Sequence, residues 1–493
     1  MTGLSPRAGM NVHLGFGLEA FTSDELNGIH NASLQIFRDT GIKVENRAAI
    51  DFFLNGGARV ETFENHAIVR IPPYMVEDAL RSVPKTLTYY GRQKKDDFIA
   101  EENRVGFTAA MGEHVKIIDL KTRELRSTTK NDVAEICRIQ DYLDITTVTE
   151  RPVCSGDCTA SLQSVHNYEA MVRNSSKHCF LGMGGGDNAK KIIEIAKIAA
   201  GGEKQFLERP IVTGTACPTS PLTLVDECCG SIMECARSGI GLLICPMSLS
   251  GASSPATPAS VILQHNVEVL SAVILAQLVN RGTPCTYGGC STIMDLRFAS
   301  SPVGVPEMAL FSVAAVKMAQ FYQMPSWVGG GASDSKQADA QQAYDFSLTA
   351  FPPALAGANT IFGIGSIESI LTFDYAAMIT GAEQAERMMR VIKGVDINDM
   401  TLAVDLIQEV GPGGSYISHK HTYQHMREIS QSKLFDRRSR EAWLKATNGK
   451  DINLAAYDEA KRIIDTHQPL PLPEGADKLI NNKMAEYEAG INK

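Results

Sequence analysis

The sequence predicts a (β/α)8 barrel with an α-rich cap at its N-terminal end and a helical segment at its C-terminal end. Three observations lead there. Short β-branched runs alternate with helix-patterned stretches through the middle of the chain. The runs begin near Gly106 (GFTAAM), Ile145 (ITTVTE), His178 (HCFLGM), Pro210 (PIVTGT), Gly241 (GLLICPM), Pro284 (PCTYGG), Ser326 (SWVGGG) and Thr360 (TIFGIG). Strands alternating with helices imply a parallel sheet, and a count near eight over roughly 250 residues is what a closed barrel needs. An open doubly wound sheet is the competing architecture, but nothing marks a topological switch point.

The elements follow in order. Residues 1–104 read as an α-rich cap with one small β element, Ala67–Ile71. Residues 105–395 hold the barrel, with helix patterns such as Ser260–Val279 and Glu307–Phe321 between the runs. Residues 396–493 read as a charged helical extension, with Pro469, Pro471 and Pro473 marking a late extended turn.

Composition narrows the function. Of the 493 residues 44% are hydrophobic and 21% charged, an ordinary globular balance, and the net charge is −9 with no long basic run. Nucleic acid and anionic membranes are therefore not expected partners. No leader pattern opens the chain and no apolar run reads as a bilayer span, so a cytoplasmic location is expected. The eleven cysteines include no C-x-x-C pair. Cys217, Cys245, Cys285 and Cys290 lie near strand ends where a barrel could converge them, yet reduced structural thiols are the expectation and no metal is assigned.

The strand ends carry glycine runs: GMGGGD (Gly182–Asp187), YGGCS (Tyr287–Ser291), GGGASDS (Gly329–Ser335) and GIGS (Gly363–Ser366). In a barrel these positions form the C-terminal face, where active sites lie, and together they suggest an open mouth. The nucleotide patterns G-x-G-x-x-G and G-x-x-x-x-G-K-[ST] are absent, as are H-E-x-x-H and G-x-S-x-G.

GPGGSYISHKHTYQHMR (Gly411–Arg427), followed by Leu434, Phe435, Asp436, Arg437 and Trp443, resembles the C-terminal signature of the trimethylamine methyltransferase family. GGGASDSKQADAQQAYD (Gly329–Asp345) resembles the family's other marked stretch. The resemblance covers nearly the whole chain and implies a (β/α)8 barrel that moves a methyl group to the cobalt of a corrinoid. A corrinoid-binding pattern Asp-x-His-x-x-Gly is missing: His467 has Asp465 before it, but Leu470 stands in the glycine position. The corrinoid is thus expected on a separate protein, with no cofactor held tightly by this chain.

Founding members of the family carry pyrrolysine in the barrel, whereas this sequence uses standard residues alone. A pyrrolysine imine would engage an amine through its lone pair, which a quaternary ammonium lacks. The resemblance and this departure together imply a quaternary donor, glycine betaine first, with proline betaine, carnitine and butyrobetaine as relatives.

A trimethylammonium group is held by aromatic faces, at about 0.5–2 kcal/mol each, and by a nearby carboxylate. Tyr287, Trp327, Tyr344, Phe351 and Phe362 are the aromatic candidates, each weighed against an ordinary core role. Asp334 is the expected catalytic carboxylate, or else the N-cap of the helix that follows it. Ser333 stands beside it, and Arg297 and Lys336 are candidates for a substrate carboxylate, with a structural salt bridge the alternative for Arg297. His421 and His425 share a helix face at i, i+4 and read as packing residues. The expected partners are the quaternary amine, the corrinoid protein and further copies of the chain. Rivals are a non-catalytic quaternary-amine binder and a zinc-dependent methyltransferase for thiols or methoxy compounds.

Overall fold

A computed structural model describes residues 18–112 and 115–491. Seven parallel strands form the main sheet in the spatial order Phe107–Ala109, Thr360–Ile364, Ser326–Gly329, Cys285–Gly289, Gly241–Ile244, Val212–Ala216 and Cys179–Gly182. The sheet closes through residues 146–149. Thr146 bridges Phe107 and Thr149 bridges Cys179, both in parallel. All eight runs read from the sequence are therefore barrel staves. The one at Ile145 joins by two isolated bridges, because Leu143 to Thr146 is pinned by Lys177, whose buried ammonium donates to the carbonyls of Leu143 (2.7 Å) and Thr146 (2.6 Å).

Strands buried on both faces need apolar or hydroxyl side chains on both, and Gly241–Ile244 (GLLI) and Val212–Ala216 (VTGTA) supply them. The longest barrel helix, Pro258–Val279, is long and apolar enough to cross a bilayer, contrary to the sequence expectation that no such run exists. In its most apolar window 78% of the residues are buried. Apolar residues on every side make it a core helix packed between strands and cap.

The cap consists of helices Ser23–Asp39, Arg47–Asn55 and Pro73–Ser82 around a small sheet in which Ala67–Arg70 pairs antiparallel with Ile42–Val44 and Arg59–Thr62. Thr22 and Glu25 form a capping box that starts the first helix. The hairpin Leu87–Tyr89/Phe98–Ala100 plugs the N-terminal end of the barrel. There the Tyr89 hydroxyl meets Thr286 Oγ1 at 2.8 Å, and its ring contacts Phe180 edge-on at 4.8 Å.

Past the last barrel helix, Tyr375–Ile392, residues 395–444 form an arm of short helices, Asp399–Leu402, Val404–Val410 and Lys420–His425, that ends inside the helix Arg440–Thr447; none of the four buries a side chain. Many of its apolar side chains face outward, Met400 at 83% and Ile417 at 86% exposure, while Leu434 packs against the core. Glu383 anchors the arm by accepting from the amides of Lys433 (3.0 Å) and Leu434 (2.8 Å). The rings of His421 and His425 lie 4.3 Å apart within the arm. The final helices Ile452–Thr466 and Ala476–Ile491 return to the barrel, where the Tyr457 hydroxyl donates to Asp374 at 2.6 Å.

Candidate active site

Alternation along each strand decides which side chains face the barrel axis. Trp327, Phe362, Phe180, Val148, Leu243 and Cys245 point inward and form one buried cluster. Their neighbours Val328 and Ile361 belong to the larger core under the helices. The Trp327 indole stacks on Phe362 with centroids 4.1 Å apart and planes 6° from parallel. Its Nε1 donates to Glu150 Oε1 at 2.9 Å.

Glu150 was not among the residues singled out from the sequence. It ends the closing stave, one inward position above Val148, and is fully buried. Gln140 clamps its backbone, donating to its carbonyl at 2.8 Å and accepting from its amide at 2.9 Å. The second carboxyl oxygen, Oε2, has no hydrogen-bond partner among the described residues. Burial pushes this carboxyl well above the usual range, against the pull of the indole N–H and the Arg151 charge.

Above this layer the glycines divide into two kinds. A side chain at Gly182 would meet nothing within 4 Å, so space is open beside the closing stave. The other runs are points of close packing, which corrects the reading of all four as cleared space. A Cβ at Gly329 would sit 2.3 Å from Met308 Cε, and one at Gly363 would sit 2.3 Å from the Gly330 carbonyl. Glycine there lets adjacent mouth loops touch.

Those loops converge on Asp334. Its Oδ1 accepts from the Val303 amide (2.8 Å) and the Ser369 hydroxyl (2.7 Å), and its Oδ2 from the Gly304 amide (2.9 Å). Asp334 therefore ties together the loops that follow three strands, and both its oxygens are engaged within the protein. It is neither turned toward an open site nor the helix cap. The cap of Ala340–Ala356 is Asp339, whose side chain accepts from the Gln342 amide. Asp345 supports the knot by accepting from the Ser333 hydroxyl (2.8 Å) and the Asp334 amide (3.1 Å), while burial pushes its own carboxyl upward.

Glu368, Ser369 and Ile370 all adopt left-handed backbone, Ile370 at φ 69°. A β-branched residue there is strained, and the hydrogen bonds at Asp334, Ser333 and Ser335 hold it. Ile370 leans over the barrel, packing on both the Trp327 cluster and the Val303–Met308–Ala332 cluster.

The remaining candidates lie elsewhere. Tyr287 is buried but faces the helices, where its hydroxyl donates to Asn266 at 3.0 Å. Tyr344 is 66% exposed on an outer helix. Phe351, half-buried, packs on the outer core. Arg297 is exposed and forks onto Asp295 at 3.0 and 2.7 Å, the salt-bridge alternative. Lys336 is exposed and donates to the Asp334 carbonyl at 2.7 Å. Ser333 is buried in the Asp345 knot. Of the cysteines, Cys245 and Cys290 meet at 3.4 Å, but Cys285 turns outward to Gln277 and Thr283. The described residues hold no cluster of three or more ligands suited to a metal.

A barrel plugged at one end, with stacked aromatics and a buried acid below the other, is the frame of a barrel enzyme whose chemistry sits at its C-terminal mouth. The family described as Trimethylamine methyltransferase (MTTB) matches residues 12–491, and the chain belongs to that family. It is 45% identical to the trimethylamine methyltransferase MttB of Desulfitobacterium hafniense (strain DSM 10664 / DCB-2), over 96% of this chain and 95% of that one. Identity to MttB of Methanosarcina barkeri (strain Fusaro / DSM 804) is 34%, over 94% of each chain. Identity to the glycine betaine methyltransferase of Desulfitobacterium hafniense (strain Y51) is 31%, over 86% of this chain and 88% of that one. The protein is accordingly a methyltransferase.

Proposed function

We propose that this methyltransferase takes a methyl group from a quaternary amine, glycine betaine first, and passes it to cob(I)alamin carried by a separate corrinoid protein. The observation that carries the reading is the Trp327–Phe362 stack beneath the mouth, an aromatic surface suited to a methylated cation. In the reaction one nitrogen–carbon bond breaks and a carbon–cobalt bond forms. The amine leaves neutral, keeping the electron pair, so no general acid is required at nitrogen. The chain's part is to hold the donor in line and to exclude water from a cation that must shed its hydration. The corrinoid is a co-substrate here, and the protein need hold none of its own.

The identity to trimethylamine methyltransferases favours trimethylamine as the second reading, while the all-standard sequence favours the quaternary donor. Visible spectra decide between them when the purified protein is mixed with cob(I)alamin and a panel of glycine betaine, proline betaine, carnitine, butyrobetaine and trimethylamine. Methylation is expected from a betaine, far faster than from trimethylamine, and unchanged by a chelator. Equal rates with trimethylamine would contradict the quaternary reading, and loss of activity on removing a stoichiometric zinc would contradict a metal-free site. Self-association would cover the apolar side chains of the arm at residues 395–444. Light scattering showing a monomer at working concentration would rule it out.

A further inference from the structure

The buried acid beside Trp327 has one oxygen in use and one idle. A buried polar atom left unpaired is costly, so an idle carboxyl oxygen in a barrel interior calls for a ligand. The surroundings say what kind. The Trp327 N–H fixes Oε1, and the indole itself is stacked on Phe362. Phe180 and Val148 belong to the same inward cluster, and the space at Gly182 on the next strand is open. An acid among aromatic faces suits a soft organic cation, which gains from ring faces and charge together and has no N–H to satisfy.

We propose that Glu150 is the anionic partner of the substrate's quaternary nitrogen, with Oε2 facing the cation and Trp327 and Phe362 forming the adjoining wall. This rests on the methyl-donor reading above. Glu150 thereby takes the role expected of Asp334, whose oxygens are already spent on the mouth loops.

A proton balance follows. Burial raises the Glu150 carboxyl well above its usual range and so favours its neutral form in the free protein. A quaternary ammonium brings the missing counter-charge, so the carboxyl ionises and one proton passes to solvent as the cation binds. Raising the pH makes that ionisation cheaper, and affinity should rise with pH until the free carboxyl itself ionises. Around the site, four described groups are shifted by their surroundings. Burial pushes the Tyr89 hydroxyl and the Cys179 thiol up, the latter to about 12. The adjoining Cys290 and burial do the same for Cys245, and burial lowers His178 to about 3.

Calorimetric titration tests this without a methyl acceptor, using glycine betaine and tetramethylammonium in buffers of different ionisation enthalpy. The unaltered protein is expected to release a proton on binding and to bind more tightly as pH rises. Glu150→Gln keeps an acceptor for the indole and cannot ionise. It is expected to bind about ten- to a hundredfold more weakly, with no proton release and a flat pH profile. Glu150→Asp, retaining the charge one methylene short, is the second variant and should weaken binding while still releasing a proton. Wild-type affinity in Glu150→Gln, or in Glu150→Asp if the first fails to fold, would overturn the assignment. Such a result would leave the methyl-transfer reading intact, whereas a protein that binds betaine through Glu150 but methylates nothing would overturn only that reading.

Discussion

Replacing Trp327 by alanine is expected to abolish methyl transfer and to destabilise the fold by about 3–5 kcal/mol, the usual cost of emptying a large buried aromatic site. The indole is fully buried, stacks on Phe362 and holds the only partnered oxygen of Glu150 among the described residues. Its loss leaves a cavity and a buried acid without a donor. Trp327→Phe divides the two effects. The ring-on-ring contact with Phe362 can persist, so most stability should return, while Glu150 loses its N–H donor and the amine site its fixed wall. Denaturant midpoints beside initial rates of methyl transfer make the comparison. Full activity in Trp327→Ala would show that the donor binds elsewhere.

The second large effect is expected at Asp334. Asp334→Ala removes the acceptor for the Val303 and Gly304 amides and for the Ser369 hydroxyl, and should cost about 3 kcal/mol of stability. A lost helix cap alone would cost about 1 kcal/mol. The strained turn at Glu368–Ile370 is released at the same time, so Ile370 no longer closes over the Trp327 cluster. Activity should fall with it through a raised KM, because the mouth is loosened while Glu150 and Trp327 stay in place. A change near 1 kcal/mol with normal kinetics would mean that Asp334 does not organise the loops.

These two residues show what the sequence could and could not convey. Each barrel stave was legible because a short β-branched run between helix patterns leaves a parallel strand as its only use. The Trp327–Phe362 pair was legible as two aromatics near strand ends. Tyr287 misled because CTYGG alternates around small residues, and nothing in the letters says that Thr286, not Tyr287, faces the axis. Asp334 misled because SDSKQAD offers two acids before one helix, and the helix begins after the second. Glu150 carries a signal of its own in the sequence. Val148 and Glu150 share one face of a stave that is otherwise buried, and an acid at such a position must have a use. The arm at residues 395–444 read simply as charged helix, since exposure of its apolar side chains is a property of tertiary packing.

The most direct measurement follows the methyl group itself. Glycine betaine deuterated in its N-methyl groups, incubated with the purified protein and cob(I)alamin, should yield methylcobalamin carrying an intact trideuteromethyl group and one equivalent of dimethylglycine. Mass spectrometry reads both products from the same tube. Unlabelled methylcobalamin, or dimethylglycine formed without any cobalt-bound methyl, would contradict direct transfer from a quaternary amine.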